Sequence, residues 1–179
     1  MNLPNILTLI RVLLIPLFVT LIINKAFTWA LMTFATAGIT DAVDGLIARL
    51  TGQRTELGAY LDPVADKLLL SSAFVTLAII GLIPSWLTIL VLTRDVIILI
   101  GFLMFFLTDH HPRIAPSILS KITTFFQIST VLLFLLSESY SVSNFVYKTA
   151  LGGVTLFTVL SGIHYISVGA RILNGKKNP

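Results

Sequence analysis

Long apolar stretches separated by short polar connections run along the whole chain. Six of these stretches are close to the ~20 residues that a helix needs to cross a bilayer. They cover residues 6–23, 27–46, 59–83, 86–107, 118–136 and 145–166. The longest polar connection, residues 108–116, is too short to fold alone. The pattern predicts an all-α protein with six transmembrane helices in a single membrane-embedded domain, residues 1–179.

Composition agrees with a membrane location. Hydrophobic residues make up 56% of the chain and charged residues only 11%, whereas soluble domains carry about 25% charged residues. The sequence has no cysteine, so thiolate chemistry and disulfides are excluded. Composition thus predicts an integral membrane protein.

The charges between the apolar stretches predict the orientation. Basic residues follow the second, fourth and sixth stretches, and few lie in the opposite connections. The first group is Arg49, Arg54, Arg113, Arg171, Lys176 and Lys177, and the second is Lys25 and Lys148. Because positive loops stay on the cytoplasmic side, both termini are predicted to be cytoplasmic.

Four aspartates interrupt the apolar pattern where the second stretch ends and the third begins. They are Asp41, Asp44, Asp62 and Asp66, half of the eight acidic residues in the chain. A carboxylate inside a membrane is costly unless it is compensated, so such residues are usually functional. This segment is therefore the candidate reactive site.

The spacing of these aspartates predicts a metal site. Asp41 and Asp44 are three residues apart, and Asp62 and Asp66 are four apart, so each pair shares a helix face. A short connection makes the two helices a hairpin, which allows both pairs to face one groove. Two divalent cations would neutralise four converging carboxylates, and oxygen-only ligands favour Mg²⁺ or Mn²⁺.

Small and basic residues in the same segment predict a phosphate-bearing substrate. Gly45, Ala48 and Gly58 leave the helix faces open to a bulky polar ligand. Arg49 can bind a phosphate through two parallel hydrogen bonds. Metal ions and an arginine at the cytoplasmic side could together bind the phosphate groups of a nucleotide or a lipid.

Other interpretations of the aspartates compete with a metal site. They could form buried ion pairs with Lys67 or Arg94, or line the path of a cation transporter or channel. Confinement of the polar cluster to one side of the membrane disfavours a transport path. A catalytically inactive scaffold is disfavoured because all four aspartates are present.

The motif Asp41-x2-Asp44-Gly45-x2-Ala48-Arg49-x8-Gly58-x3-Asp62-x3-Asp66 resembles the signature of the CDP-alcohol phosphotransferases at every specified position. Chain length and the six predicted spans also resemble that family. The resemblance implies transfer of a phosphatidyl group from CDP-diacylglycerol to an alcohol, with release of CMP. It also implies a homodimer in the bacterial inner membrane, with the active site facing the cytoplasm and no nucleic-acid partner.

The resemblance also implies roles for individual residues. Asp41, Asp44, Asp62 and Asp66 would hold two Mg²⁺ or Mn²⁺ ions, and Asp66 would also accept the proton of the acceptor hydroxyl. The residues that would bind CDP-diacylglycerol are Gly45, Ala48, Arg49, Thr55 and Gly58. Asn5 and Thr8 belong to an N-terminal segment that reaches the nucleotide in this family.

The acceptor depends on basic residues elsewhere in the chain. Arg94, Lys121 and Arg171 are predicted to bind the acceptor phosphate, although Arg94 could instead pair with Asp95. The opening segment resembles bacterial phosphatidylglycerolphosphate synthases, whose acceptor is glycerol 3-phosphate. Thr123 stands where those enzymes have a second lysine, and the Arg94-Asp95 pair resembles cardiolipin synthases, which use phosphatidylglycerol. We place glycerol 3-phosphate narrowly first.

Overall fold

Six α-helices make up the part of the chain that the computed structural model describes. They are α1 (Leu3–Ile23), α2 (Phe27–Thr51), α3 (Glu56–Ile79), α4 (Ser85–Leu107), α5 (Ile118–Ser137) and α6 (Asn144–Leu173). The structure describes residues 3–51, 56–107, 117–138, 140 and 142–173, without the side chains of residues 3–7, 42–51, 56–63, 102–107 and 170–173. No strand occurs within these ranges. The predicted all-α fold class is confirmed.

The helix bounds follow the predicted apolar stretches, with two informative differences. α2 continues to Thr51 and α3 begins at Glu56, so helix extends through both halves of the acidic segment. α3 ends at Ile79, four residues before the apolar stretch does. Hydrophobicity alone therefore predicted α2 and α3 too short at their polar ends and α3 too long at its apolar end.

Local hydrogen bonding explains where α1 and α3 stop. After α3, Gly81 has a φ of 80°, and Leu82 N donates to Leu77 O at 2.9 Å. After α1, Lys25 has a φ of 57°, and Ala26 N donates to Leu21 O at 2.9 Å. Both are helix ends closed by a left-handed residue, a position that glycine tolerates best. At Lys25 a side chain occupies that conformation.

The chain divides into two compact units. The first contains residues 1–85 and 131–141, and the second contains residues 86–130 and 142–179. In the first unit α1 packs against both α2 and α3. The rings of Phe18 and Phe34, both buried, lie 5.4 Å apart between centroids. Thus α1 is the common neighbour of the two helices that carry the aspartates.

In the second unit, aromatic and glycine contacts fix how α5 meets α6. The Phe126 ring stacks on the Phe157 ring at a centroid distance of 4.6 Å. Thr123 Oγ1 donates to Phe157 O at 3.0 Å. A Cβ on Gly153 would lie 2.8 Å from Cε1 of Phe126. The two helices approach closely because Gly153 has no side chain.

Replacing Gly153 with alanine should therefore destabilise the protein. The new methyl group would displace the Phe126 ring from its stack, and overpacking of this kind costs about 1–3 kcal/mol. Gly152 is the matched control, because a Cβ at that position meets nothing within 4 Å. We expect Gly153→Ala to lower the free energy of unfolding in detergent and Gly152→Ala not to lower it. Equal stability of the two variants would contradict this close packing.

The exposed surface is unusually apolar, whereas polar side chains are buried. Leu13, Ile39, Ile79, Ile118 and Phe145 are each between 64% and 77% exposed. An apolar outer surface suits a bilayer, where polar groups must find partners inside the protein. Within the described ranges, residues 118–137 and 144–169 are long and apolar enough to cross a membrane, and residues 8–23 form a shorter apolar helix. The number of spans and their orientation remain predictions.

Candidate active site

The structure describes the side chains of two of the four predicted metal ligands. Asp41 lies in α2 with 42% of its side chain exposed, and Asp66 lies half-buried in α3. Asp44 and Asp62 belong to the same two helices, but their side chains lie outside the described residues. Within the described part, no three acidic or histidine side chains converge. The full ligand set remains a prediction.

Asp41 forms an ion pair with an arginine that the sequence analysis did not include in the site. The NH2 nitrogen of Arg11 lies 2.6 Å from Oδ1 of Asp41, and the Arg11 side chain is fully buried in α1. Its Nε and NH1 atoms have no hydrogen-bond partner in the part of the chain that the structure describes. Burying a guanidinium is costly unless an anion compensates it. The pair therefore anchors the Asp41 carboxylate to α1.

One sequence signal could have identified Arg11. It is a charged residue inside an otherwise apolar stretch, and such residues usually have a partner or a function. Its partner could not be read from the sequence, because Arg11 and Asp41 lie on different helices, 30 residues apart. From the sequence, Lys67 and Arg94 were the possible ion-pair partners of the aspartates. The structure shows that Asp41 pairs with Arg11, and a pairing of the aspartates with Lys67 stays a prediction.

The predicted nucleotide contacts are only partly within the described residues. Thr8 lies one helical turn before Arg11 and is buried at 2% exposure. It therefore belongs to the same region of α1 as the ion pair. Other predicted contacts have no described side chain: Asn5, Gly45, Ala48, Arg49, Thr55 and Gly58. Their roles stay predictions.

The described residues fit a divalent cation on the grounds of ligand chemistry. Carboxylate oxygens are the ligands that Mg²⁺ and Mn²⁺ prefer. The Asp41 side chain is 42% exposed although its Oδ1 already contacts a guanidinium, so a cation can still approach the carboxylate.

In the second unit, Arg94 forms the centre of a buried polar cluster. Its NH1 donates to Asp95 Oδ1 at 2.7 Å, and its NH2 donates to Ser120 Oγ at 2.7 Å. Ser161 Oγ accepts from both Nε at 3.1 Å and NH2 at 2.8 Å. Arg94 and Asp95 are 2% and 4% exposed. Residues from α4, α5 and α6 therefore converge on one guanidinium.

Two further residues shape this cluster. The Arg94 guanidinium carbon lies 5.9 Å from the centroid of the Tyr165 ring, a distance at which the face of an aromatic ring attracts a cation. A Cβ on Gly162 would lie 4.0 Å from Cγ of Arg94. Ser120, Ser161 and Tyr165 could not be predicted as partners of Arg94 from the sequence, because each lies on another helix.

The cluster bears on the predicted acceptor pocket. The alternative pairing of Arg94 with Asp95 is present, and it neutralises the arginine in a buried setting. Lys121, next to Ser120 in α5, has an exposed side chain. Arg171 lies in α6, but its side chain is outside the described residues. Whether these three basic residues bind an acceptor phosphate remains a prediction.

Comparison with known proteins supports the resemblance noted in the sequence. Residues 1–163 match the sequence profile described as CDP-alcohol phosphatidyltransferase. A probable phosphatidylglycerophosphate synthase of Mycobacterium tuberculosis is 35% identical over 97% of this chain and 84% of its own. The CDP-diacylglycerol–glycerol-3-phosphate 3-phosphatidyltransferase of Bacillus subtilis is 34% identical over 93% of this chain and 94% of its own. Human cardiolipin synthase (CMP-forming) is 34% identical over 91% of this chain and 60% of its own.

Proposed function

Because the chain belongs to the CDP-alcohol phosphatidyltransferase family, we propose that it transfers a phosphatidyl group from CDP-diacylglycerol to an alcohol. The observation that carries this proposal is the Arg11–Asp41 ion pair, which holds an aspartate of the family motif at 2.6 Å from a buried guanidinium. An isolated pair of structural charges needs no exposed carboxylate, whereas a ligand-binding carboxylate must be reachable. Membership of a transferase family also disfavours the cation transporter and the inactive scaffold.

In the proposed reaction, the acceptor hydroxyl oxygen attacks the phosphorus that bears the diacylglycerol. The bond from this phosphorus to the oxygen of CMP breaks, and CMP leaves. Asp66 takes the proton from the attacking hydroxyl as general base. Arg49 and the residues around Gly45 and Thr55 bind the CDP group, with Asn5 and Thr8 as further contacts.

Asp41, Asp44, Asp62 and Asp66 would hold two divalent cations, Mg²⁺ or Mn²⁺. Bound cations of this kind polarise phosphoryl oxygens and neutralise the charge of a leaving group. Arg11 contributes by orienting Asp41, since the buried guanidinium restricts where that carboxylate can lie. The metal requirement is supported by the oxygen-only ligand set.

The proposal places the protein in the membrane with six spans and both termini in the cytoplasm. The apolar outer surface and the six helices support this arrangement, and the charges between the stretches support the orientation. We propose that residues 1–179 act as a single catalytic domain. The homodimer and the bacterial inner membrane rest on the family resemblance alone.

Glycerol 3-phosphate is the acceptor that we place first. The Mycobacterium tuberculosis and Bacillus subtilis relatives carry names that specify phosphatidylglycerophosphate synthesis or glycerol 3-phosphate. Their similarity extends over at least 93% of this chain, so it includes Arg94 and Lys121. These residues would bind the phosphate monoester.

A specific contact favours phosphatidylglycerol as a second candidate. Arg94 is neutralised by Asp95 at 2.7 Å and is saturated further by Ser120 and Ser161. A dianionic monoester needs more positive charge than a monoanionic diester, so a neutralised arginine suits the diester better. The human relative is a cardiolipin synthase, and phosphatidylglycerol is the acceptor that this activity requires.

The acceptor can be decided by one assay on the purified protein. CDP-diacylglycerol and Mg²⁺ or Mn²⁺ are supplied with either glycerol 3-phosphate or phosphatidylglycerol, and CMP release is measured. We expect metal-dependent CMP release with one of the two acceptors. If neither supports CMP release in the presence of either metal, both proposed acceptors are wrong for this chain.

The Asp95→Asn variant tests the role of Arg94 in the same assay. Removing the neutralising carboxylate should strengthen the attraction of Arg94 for a dianion. We expect the KM for glycerol 3-phosphate to fall relative to the KM for phosphatidylglycerol, by about tenfold for each ~1.4 kcal/mol of attraction gained. An unchanged ratio of the two KM values would show that Arg94 does not contact the acceptor phosphate.

A further inference from the structure

Two serine hydroxyls accept hydrogen bonds from the buried Arg94 guanidinium. Ser120 Oγ accepts from the NH2 group at 2.7 Å. Ser161 Oγ accepts from the same NH2 group at 2.8 Å and from Nε at 3.1 Å. In each contact the serine oxygen is the acceptor, because a guanidinium has only donors. Both serines therefore keep their own hydroxyl hydrogen for another partner.

Neither of these hydroxyl hydrogens is donated to a group in the part of the chain that the structure describes. Another hydroxyl of α6 behaves differently, since Thr155 Oγ1 donates to Leu151 O at 2.6 Å. A hydroxyl that accepts from a cation becomes a stronger donor, because hydrogen bonds in a chain polarise one another. Ser120 and Ser161 are therefore strong donors with no described acceptor.

Burial distinguishes the two serines. Ser161 is 0% exposed, and its hydrogen bonds with Arg94 are buried. Ser120 is half-buried, and its hydrogen bond with Arg94 is only partly buried. Arg94 itself is 2% exposed and is neutralised by Asp95. A ligand can therefore reach the Ser120 hydroxyl, whereas Ser161 and the guanidinium are covered.

The next residue of α5 adds a positive charge beside Ser120. Lys121 has an exposed side chain, and it forms no ion pair with a described carboxylate. Its Cα is about 3.8 Å from that of Ser120, and its flexible stem lets the ammonium group move toward a ligand at that hydroxyl. A water molecule could accept from the hydroxyl, but only an anion also compensates the ammonium. These two donors therefore favour a phosphate oxygen.

We propose that the Ser120 hydroxyl donates to a phosphate oxygen of the acceptor, and that Arg94 orients and polarises this hydroxyl from inside the protein. This inference rests on the proposed function, in which the acceptor carries a phosphate group. Glycerol 3-phosphate presents a monoester and phosphatidylglycerol a diester, and both offer the same kind of oxygen to a hydroxyl donor. The charge of a covered arginine thus acts on the ligand through a serine.

Ser120→Ala tests the contact, and Ser161→Ala is its matched control. Both variants remove a hydroxyl that accepts from Arg94, and Ser161→Ala disturbs the arginine at least as much because it removes two hydrogen bonds. Only Ser120→Ala also removes the proposed contact with phosphate. Glycerol 3-phosphate and phosphatidylglycerol are each titrated onto the detergent-solubilised protein. The rise in melting temperature measures binding, and the KM for CMP release is determined in parallel.

For the acceptor that binds the wild type, we expect Ser120→Ala to weaken binding by about tenfold or more, as for a hydrogen bond to a charged group, and Ser161→Ala by about twofold or less. Ser120→Thr keeps the hydroxyl and should bind as the wild type does. Ser120→Cys nearly keeps the size of the side chain but is a weak donor. It should weaken binding as alanine does, and it replaces the alanine variant if that one does not fold.

Two results would overturn the proposal. Equal weakening by Ser120→Ala and Ser161→Ala would show that both act through Arg94, and unchanged binding in Ser120→Ala and Ser120→Cys would show that the hydroxyl has no ligand. The ligand whose binding is lost identifies whether a monoester or a diester supplies the phosphate, and no stabilisation of the wild type by either ligand also rejects the site. The melting measurement needs no turnover, so it decides this contact even if CMP release fails with both acceptors.

Discussion

Asp66→Asn should lower turnover by about 10²–10⁴-fold, the range that a positioned general base contributes. The expected cause is loss of the group that accepts the proton of the acceptor hydroxyl. Asparagine keeps the shape of the side chain, and its amide oxygen can still contact a cation. Asp66 is half-buried in α3, so the smallest possible change is preferable to truncation. CMP release under single-turnover conditions, with enzyme in excess over CDP-diacylglycerol and the acceptor saturating, measures the effect.

Binding measurements decide between a base and a metal ligand at this position. Because Asp66 is also a proposed metal ligand, we expect Asp66→Asn to bind Mn²⁺ more weakly and CDP-diacylglycerol with near wild-type affinity, by calorimetry, and its rate to stay low at saturating Mn²⁺. Glu138→Gln is the control, because it makes the same change at an exposed residue after α5. Full turnover with metal and donor bound would exclude Asp66 as the base. Recovery of wild-type turnover at saturating Mn²⁺ would assign Asp66 to metal binding alone.

The helices could be located from the sequence because an apolar stretch of membrane-spanning length has few alternative folds. The predicted start of α5 at Ile118 and the end of α1 at Ile23 coincide with the structure. The predicted helix ends were wrong where backbone conformation or polar side chains, and not hydropathy, determine the end of the helix. At Gly81 a left-handed residue ends α3 within an apolar stretch, and in the acidic segment polar residues remain helical.

The partners of buried charges could not be predicted in the same way. Asp41 was recognisable from its motif, whereas its contact with Arg11 depends on how α1 packs against α2. Arg94 was recognisable as an unusual charge, and its neighbour Asp95 was a named alternative. The serines that saturate Arg94 come from α5 and α6. Sequence spacing reveals groups that share one helix face, but contacts between helices depend on their packing.

The Arg11–Asp41 pair should show a marked asymmetry when either partner is removed. Arg11 is fully buried, whereas 42% of the Asp41 side chain is exposed. Asp41→Asn leaves a buried guanidinium without its ionic partner, and breaking a buried pair in this way costs about 3–5 kcal/mol. Arg11→Met leaves a carboxylate that water can reach, so its cost should be smaller. Reversible unfolding of the detergent-solubilised protein measures both changes.

The double variant separates the interaction energy of the Arg11–Asp41 pair from the other effects of each substitution on stability. Arg11→Met added to Asp41→Asn should restore most of the lost free energy of unfolding, because it removes the uncompensated charge and leaves an apolar side chain inside α1. The coupling energy from this cycle should exceed about 1 kcal/mol. Glu138→Gln, a carboxylate-to-amide change at an exposed site, should leave stability unchanged.

Metal-dependent stabilisation provides a second test of the Arg11–Asp41 pair, because a purely structural ion pair would not change how strongly a metal stabilises the protein. If Asp41 is a ligand, Mg²⁺ or Mn²⁺ should stabilise Arg11→Met more than it stabilises the wild type, because the cation replaces the lost guanidinium. Asp41→Asn should lose most of the metal-dependent stabilisation. An equal metal response in all three proteins, together with additive single and double effects, would show that Arg11 neither fixes Asp41 nor supports a metal site there.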